Sequence, residues 1–262
     1  MAEYISKEIR EATEALAKLI RADKRYQAYE AAAEVYEKDP EILSMITEYN
    51  VHQAALSEQY LAVAANCARQ YVDRRDKYVP GGEMWVTESG DAGCGGNTWA
   101  STYVDVPRTL NERGEFSPVT NGVIVHNTLA SSDYGYLKPG TFVPRPNYFA
   151  VLLWNRLMGK TVYATGEETR EGAHVYAHSR KDGKDGYVYL VINNSSETTT
   201  VELPGEAEAY VLSGCGKLRS RTMCLNGKEL VLGENDELPE LKGVTVSGTV
   251  ELPAYGCAFY VI

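Results

Sequence analysis

The sequence predicts a multidomain α+β protein: a helical N-terminal segment, a short middle portion in which strands and helices alternate, and a C-terminal antiparallel β-sandwich. Three observations predict it. Apolar residues recur every three or four positions near the N-terminus, strand and helix patterns alternate from about Gly81 to Ala164, and the period drops to two from about Val162 onward.

The helical segment runs over residues 1–76. Ile5, Ile9, Ala12, Leu16, Leu19 and Ile20 mark one helical face. Asp23 is placed to cap a second helix, in which Tyr26, Tyr29, Ala33 and Tyr36 keep the period. Asp39-Pro40 reads as a cap followed by proline in the first turn. It starts a third helix with Ile42, Met45, Ile46 and Tyr49, and no breaker appears before Tyr78.

The middle portion, residues 77–164, opens with EMWVTE as a strand predicted at about 83–88. TWASTYVDVPRTLNERG is partly helical, NGVIVHN is a second strand at about 122–128, and PRPNYFAVLLWNRLMGK is a helix introduced by prolines and closed by Gly159. This order is that of a parallel α/β sheet or barrel, so the two strands are expected parallel with the 98–113 segment in the crossover. From 165 to 262, HVYAHS, GYVYLVINN, TTTVELPG, AEAYVLSG and VTVSGTVELPAYGCAFYVI alternate between turn signals, Asn226-Gly227 among them.

Composition narrows the function. A net charge of -10 and a pI near 5.0 argue against nucleic acid or an anionic membrane as partner, since both need clustered Lys and Arg. No apolar run reaches the ~18 residues of a membrane span, and the N-terminus does not read as a secretory signal, which predicts a cytoplasmic protein. The five cysteines are irregularly spaced without a C-x-x-C, so buried or free thiols are expected, with no metal and no cofactor. His174 and His178 fall on one strand face about 13 Å apart at ~3.3 Å per residue, too far to share an ion.

One stretch raises a sharper question. In MWVTESGDAGCGGN, Glu88 stands where a strand meets a loop containing Gly90, Gly93, Gly95 and Gly96. In α/β barrels that rim carries the chemistry, and bare backbone amides suit an anionic group. A structural turn is the competing reading.

WVTESGDAGCGGNTWAST, NGVIVHNTLASSDYGYL and TFVPRPNYFAVLLWNRLMGKTV together resemble, in order, the C-terminal part of glycoside hydrolase family 79, which contains heparanase and β-glucuronidases. The resemblance runs over about residues 60–262. It implies the last two strands of a (β/α)8 barrel followed by a β-sandwich, and a uronic-acid glycoside as substrate. It implies that Glu88 is the nucleophile of a retaining mechanism, that the amides of Gly95 and Gly96 meet the uronate carboxylate, and that Tyr134 contacts the same group. His126 and Asn127 line the pocket or pack in the core, and Trp85 and Trp99 read as packing residues.

The chain departs from that pattern. No Asn-Glu strand end lies upstream of Glu88 to supply the acid/base; Asn111-Glu112 is downstream in a helix or loop, and Asn235 precedes an aspartate. Most strands of an eight-stranded barrel also have no counterpart, so a truncated or rearranged chain with little activity is expected, with exposed strand edges favouring self-association. DKRYQAYEAAAEVYEKDPEILSMITEYN resembles the YlbF family of small helical bacterial proteins, to about residue 58. That likeness implies a non-enzymatic regulatory role and a protein partner for the N-terminal helices; generic helical packing is the plainer alternative. A non-enzymatic interaction protein with an inherited β-domain, and a fusion of two unrelated genes, stand beside the hydrolase reading.

Overall fold

The computed structural model describes residues 7–24, 26–27, 71–89, 102–120, 122–126, 128–132, 134–166 and 173–262. The expected second and third helices of the N-terminal segment lie outside the described residues. The chain forms two compact units, Met1–Tyr49 and Asn50–Ile262.

In the first unit, helix α1 (Lys7–Ala22) follows the predicted period. Of its apolar stripe, Leu16 is 58%, Leu19 71% and Ile20 45% exposed.

The second unit begins, among described residues, with helical residues 71–78. Strand β1 (Val86–Ser89) pairs in parallel with β2 (Ile124–His126), with Val86 opposite Ile124 and Ser89 opposite His126. Helix α2 (Asp105–Phe116) lies between them in the chain, as the alternating pattern predicts. Helix α3 (Pro146–Leu157) starts with proline, whose missing N–H is harmless in the first turn.

The helix was expected to close at Gly159, but it stops at Leu157, and β3 (Met158–Tyr163) starts without a loop. Gly159 serves the strand instead. A Cβ there would stand 2.3 Å from Ser179 Oγ and 2.6 Å from Ser179 O, so only glycine lets β3 come this close to its neighbour.

The remaining strands are β4 (Ala173–Arg180), β5 (Tyr187–Asn193), β6 (Thr199–Glu202), β7 (Ala207–Ser213), β8 (Cys224–Leu225), β9 (Lys228–Glu229), β10 (Val244–Val246), β11 (Thr249–Leu252) and β12 (Cys257–Val261). They form an antiparallel sheet in the order β3-β4-β5-β12-β7-β8-β9, with β10 on β7, and a separate ladder of β11 with β6. Asn226 and Gly227 turn β8 into β9 with φ of 50° and 79°, the left-handed pair that an Asn-Gly hairpin requires.

Period two sorts the side chains between two cores. Val188, Leu190 and Ile192 of β5 and Cys257, Phe259 and Val261 of β12 face α2 and α3, meeting Leu110, Phe149, Leu153 and Trp154. The intervening Val191, Ala258 and Tyr260 face the other way, against Leu252, Val201 and Val250 of the β6/β11 ladder. The helix-facing core is therefore shared by elements on both sides of residue 164.

Cys215 and Cys224 form a disulfide, which corrects the expectation of free or buried thiols for these two, while Cys257 is a buried free thiol as expected. Pairing of β7 with β8 sets Ser213 opposite Cys224, and the chain turning at Gly214 brings Cys215 within a Cα–Cα distance of 5.3 Å. Spacing along the sequence carries no sign of this, because strand pairing makes the proximity. Disulfides persist in oxidising compartments, whereas a cytoplasmic setting keeps such thiols reduced. No described helix is long and apolar enough to cross a membrane.

Candidate active site

Glu88 lies in β1, one residue before Ser89, whose strand partner is His126. The C-terminal ends of two parallel strands thus carry the predicted acid and the predicted histidine. Gly95, Gly96, Asn127 and Trp99 lie outside the described residues.

His126 is 7% exposed. Its Nε2 lies 2.8 Å from the Tyr134 carbonyl oxygen, which can only accept, so Nε2 carries the proton. The ring stacks on Tyr136 at a centroid distance of 4.3 Å and 21° between planes. Burial lowers its pKa from the ordinary 6.5, with the charge of Asp105 pulling the other way. A neutral imidazole with one N–H fits both observations. Nδ1 is buried and has no partner among the described residues.

The backbone around half-buried Tyr134 is held from three sides. His126 holds its carbonyl, and Arg145 Nη1 donates to the carbonyls of Ser132 and Gly135, both at 2.9 Å. Backbone bonds from Tyr136 N to Thr128 O and from Leu137 N to Leu129 O close the loop on itself. Arg113 Nη2 donates to the Tyr136 hydroxyl at 2.7 Å, which fixes the ring on which His126 stacks. Burial raises the Tyr136 pKa while Arg113 opposes the shift.

Behind this lies a buried charge network. Arg108 Nε donates to Asp105 Oδ1, Nη1 to Glu112 at 3.0 Å and Nη2 to Thr109 at 2.9 Å. Asn147 Nδ2, from α3, donates to Asp105 Oδ2 at 2.7 Å. Asp105 is fully buried and Arg108 is 4% exposed, so each charge needs the other. Asn111 Oδ1 accepts from His174 Nδ1 at 2.6 Å, which ties α2 to β4. Asn111 and Glu112 are thus helical and engaged in structural contacts. Trp85 is a partly exposed loop-packing residue: it is 56% exposed, donates to Glu83, and lies over Gly122, where a Cβ would stand 2.1 Å from its ring.

Arg113, Tyr136, Arg145, Asp105 and Asn147 are absent from the sequence-predicted set. Asp105, Arg108 and Glu112, at helical spacings of three and four, are a visible signal of an ion-pair ladder. Arg145 between two prolines is not, because its carbonyl partners belong to an irregular loop. Among the described residues no cluster of His, Cys, Asp or Glu suits a metal ion.

The parallel strand pair, the helices over an antiparallel sheet and the tethered Tyr134 loop define a chain of glycoside hydrolase-like fold. Its similarity to the solved structure of a 4-O-α-L-rhamnosyl-β-D-glucuronidase from Fusarium oxysporum 12S, with a TM-score of 0.55 at 13% identity over 76% of this chain and 50% of that one, concerns the fold alone. In sequence the chain is heparanase-like over most of its length. It is 30% identical over 228 residues to Heparanase-like protein 1 of Arabidopsis thaliana, covering 72% of this chain and 42% of that protein. It is also 30% identical over 176 residues to Baicalin-beta-D-glucuronidase of Scutellaria baicalensis, covering 64% of this chain and 33% of that protein. The chain therefore spans less than half the length of these curated relatives. Residues 9–70 match the family described as "Control of competence regulator ComK, YlbF/YmcA".

Proposed function

We propose that the chain is a glycoside hydrolase-like protein of the retaining β-glucuronidase and heparanase type, directed at uronic-acid glycosides. In this reading β1 and β2 are the closing strands of a barrel within residues 77–164. The sheets of 165–262 form the sandwich beside them, and residues 1–76 make a helical segment. Glu88 attacks the anomeric carbon, the amides of Gly95 and Gly96 and the side chain of Tyr134 receive the uronate carboxylate, and His126 and Asn127 line the pocket.

One observation carries the reading: Glu88 sits at the C-terminal end of a strand paired in parallel with the strand that ends at His126. The His126 hydrogen bond to the Tyr134 carbonyl then links this strand end to the loop named by the resemblance. Retaining hydrolysis needs a second carboxyl ~5–5.5 Å from the first, and proton transfer is worth ~10²–10⁴-fold. Glu112, the glutamate that follows an asparagine, is paired with Arg108 on α2 and is not offered for that task. We therefore expect weak catalysis from these 262 residues taken alone, since no Asn-Glu strand end stands upstream of Glu88 among them.

The test is hydrolysis of an aryl glucuronide with a good leaving group by the purified chain beside Glu88→Ala. Weak turnover that the substitution abolishes supports the nucleophile assignment, and turnover unchanged by the substitution would overturn it. Substantial turnover abolished by the substitution would show that the chain holds a complete acid/base pair.

A second reading has its own observation. The match of residues 9–70 to the YlbF/YmcA family, with Leu16, Leu19 and Ile20 of α1 exposed, favours a helical segment that binds a protein partner without chemistry of its own.

A further inference from the structure

On the sheet face turned away from α2 and α3, the β6/β11 ladder covers β12 and β7, meeting Ala209, Ala258 and Tyr260. Toward β3 the same face opens. Strand register sets Tyr163 of β3 opposite Ala177 of β4, and Ala177 opposite Tyr189 of β5. Tyr187 is two residues from Tyr189 on the same strand, so it points to the same side. The Tyr163 and Tyr187 rings meet edge to face at 5.1 Å and 81°, and the Tyr187 and Tyr189 centroids are 6.2 Å apart. Together with Ala177, Val175 and Thr165 they line an open cavity of about 360 Å³.

Its chemistry is specific in two respects. Ala177 is buried beneath the Tyr163–Tyr187 ring pair and forms the floor, and the volume of the open cavity beside these rings lies within the size range of small-molecule sites. Among the described residues none of the lining carries a charge, so these residues offer a carboxylate or an ammonium no counter-ion. What the trough offers is phenol faces for C–H surface and phenol hydroxyls at the rim. Tyr163 at 40% and Tyr187 at 45% exposed present these groups to solvent.

The geometry points to a saccharide site separate from Glu88: the Tyr163–Tyr187–Tyr189 trough binds a neutral pyranose unit, stacking its C–H face on the tyrosine rings. The choice of a saccharide rests on the glycoside hydrolase-like reading; the preference for a neutral ring rests on the uncharged lining. A few ring stacks with little polar enclosure make the site weak, in the millimolar range. It would hold a neutral stretch of a polymer while the Glu88 end handles the uronate.

The experiment follows tyrosine ring resonances of the full chain by NMR during titration with cellotetraose, maltotetraose and tetragalacturonate. Saturable shifts of Tyr163, Tyr187 and Tyr189 with a neutral tetrasaccharide, and none with the anionic one, are expected. Tyr187→Ala should weaken binding at least tenfold, Tyr187→Phe should retain most of it, and Tyr78→Ala should leave it unchanged. Since the site is half exposed, unchanged melting of the alanine variant shows that the fold is intact. Absence of shifts with both neutral sugars, or equal response to the uronate, overturns the proposal. So does self-association of the chain that Tyr187→Ala abolishes, which would make the trough a contact between copies. The titration is repeated on Glu88→Ala: binding retained there keeps the trough independent of any failure of the nucleophile assignment.

Discussion

Breaking the Cys215–Cys224 bond should lower the stability of the second unit by an amount set by the loop it closes. The two cysteines are separated by 9 positions, and loop-closure entropy for that length is about 2.6 kcal/mol at 25 °C. For a unit of this size the loss corresponds to a fall in Tm of roughly 5–10 °C. The effect should reach α2, because the closed loop holds Tyr103, two residues before it. The Tyr103 N–H donates to Ser220 O at 2.8 Å, and the Tyr103 hydroxyl sits 2.9 Å from Leu212 O and 3.0 Å from Tyr255 O. The assay is thermal unfolding with and without reductant, beside the double variant Cys215→Ser/Cys224→Ser, which should be insensitive to reductant. Thiol titration of the unreduced, denatured protein should find at most three of the five cysteines. Reaction of all five after oxidative preparation, or an unchanged Tm on reduction of a bond shown to exist, would refute the reasoning.

Other substitutions test other parts of the structure. Asp105→Ala leaves the Arg108 guanidinium buried with a lost partner, and should cost about 3–5 kcal/mol in denaturant unfolding. Gly159→Ala drives a methyl into Ser179 and should cost about 1–3 kcal/mol, read in the same assay. Burial lowers the pKa of both His126 and His178 from 6.5, so the unfolded chain binds more protons than the folded one just below that value. The contribution of these two histidines is therefore present above about pH 6.5 and lost as the pH falls through the lowered folded values. The double variant His126→Gln/His178→Gln should flatten that part of the stability–pH curve; an unchanged slope would contradict the assignment.

The sequence alone determined the local elements and their faces. The alternation in YVYLVIN and CAFYV dictates which side chains point to which side of a strand, because successive residues of an extended chain must face opposite ways. The helical period of α1, the proline that opens α3 and the Asn-Gly turn are equally local, each set by a few neighbouring dihedral angles. The strand that carries Glu88 was legible in part: it was expected over about 83–88 and forms over Val86–Ser89.

Partnership between distant segments was decided only by the tertiary structure. β12 inserts between β5 and β7, although the nearer of these ends more than forty residues before it. The bond of Asn147 to Asp105 spans 42 positions and that of His174 to Asn111 spans 63. The disulfide exists because β7 and β8 pair, and the Tyr134 loop is ordered by Arg145 and His126, residues that nothing in their immediate sequence links to it. Periodicity records which face a residue presents. It does not record what that face meets, because the meeting depends on the summed packing of elements far apart in the chain.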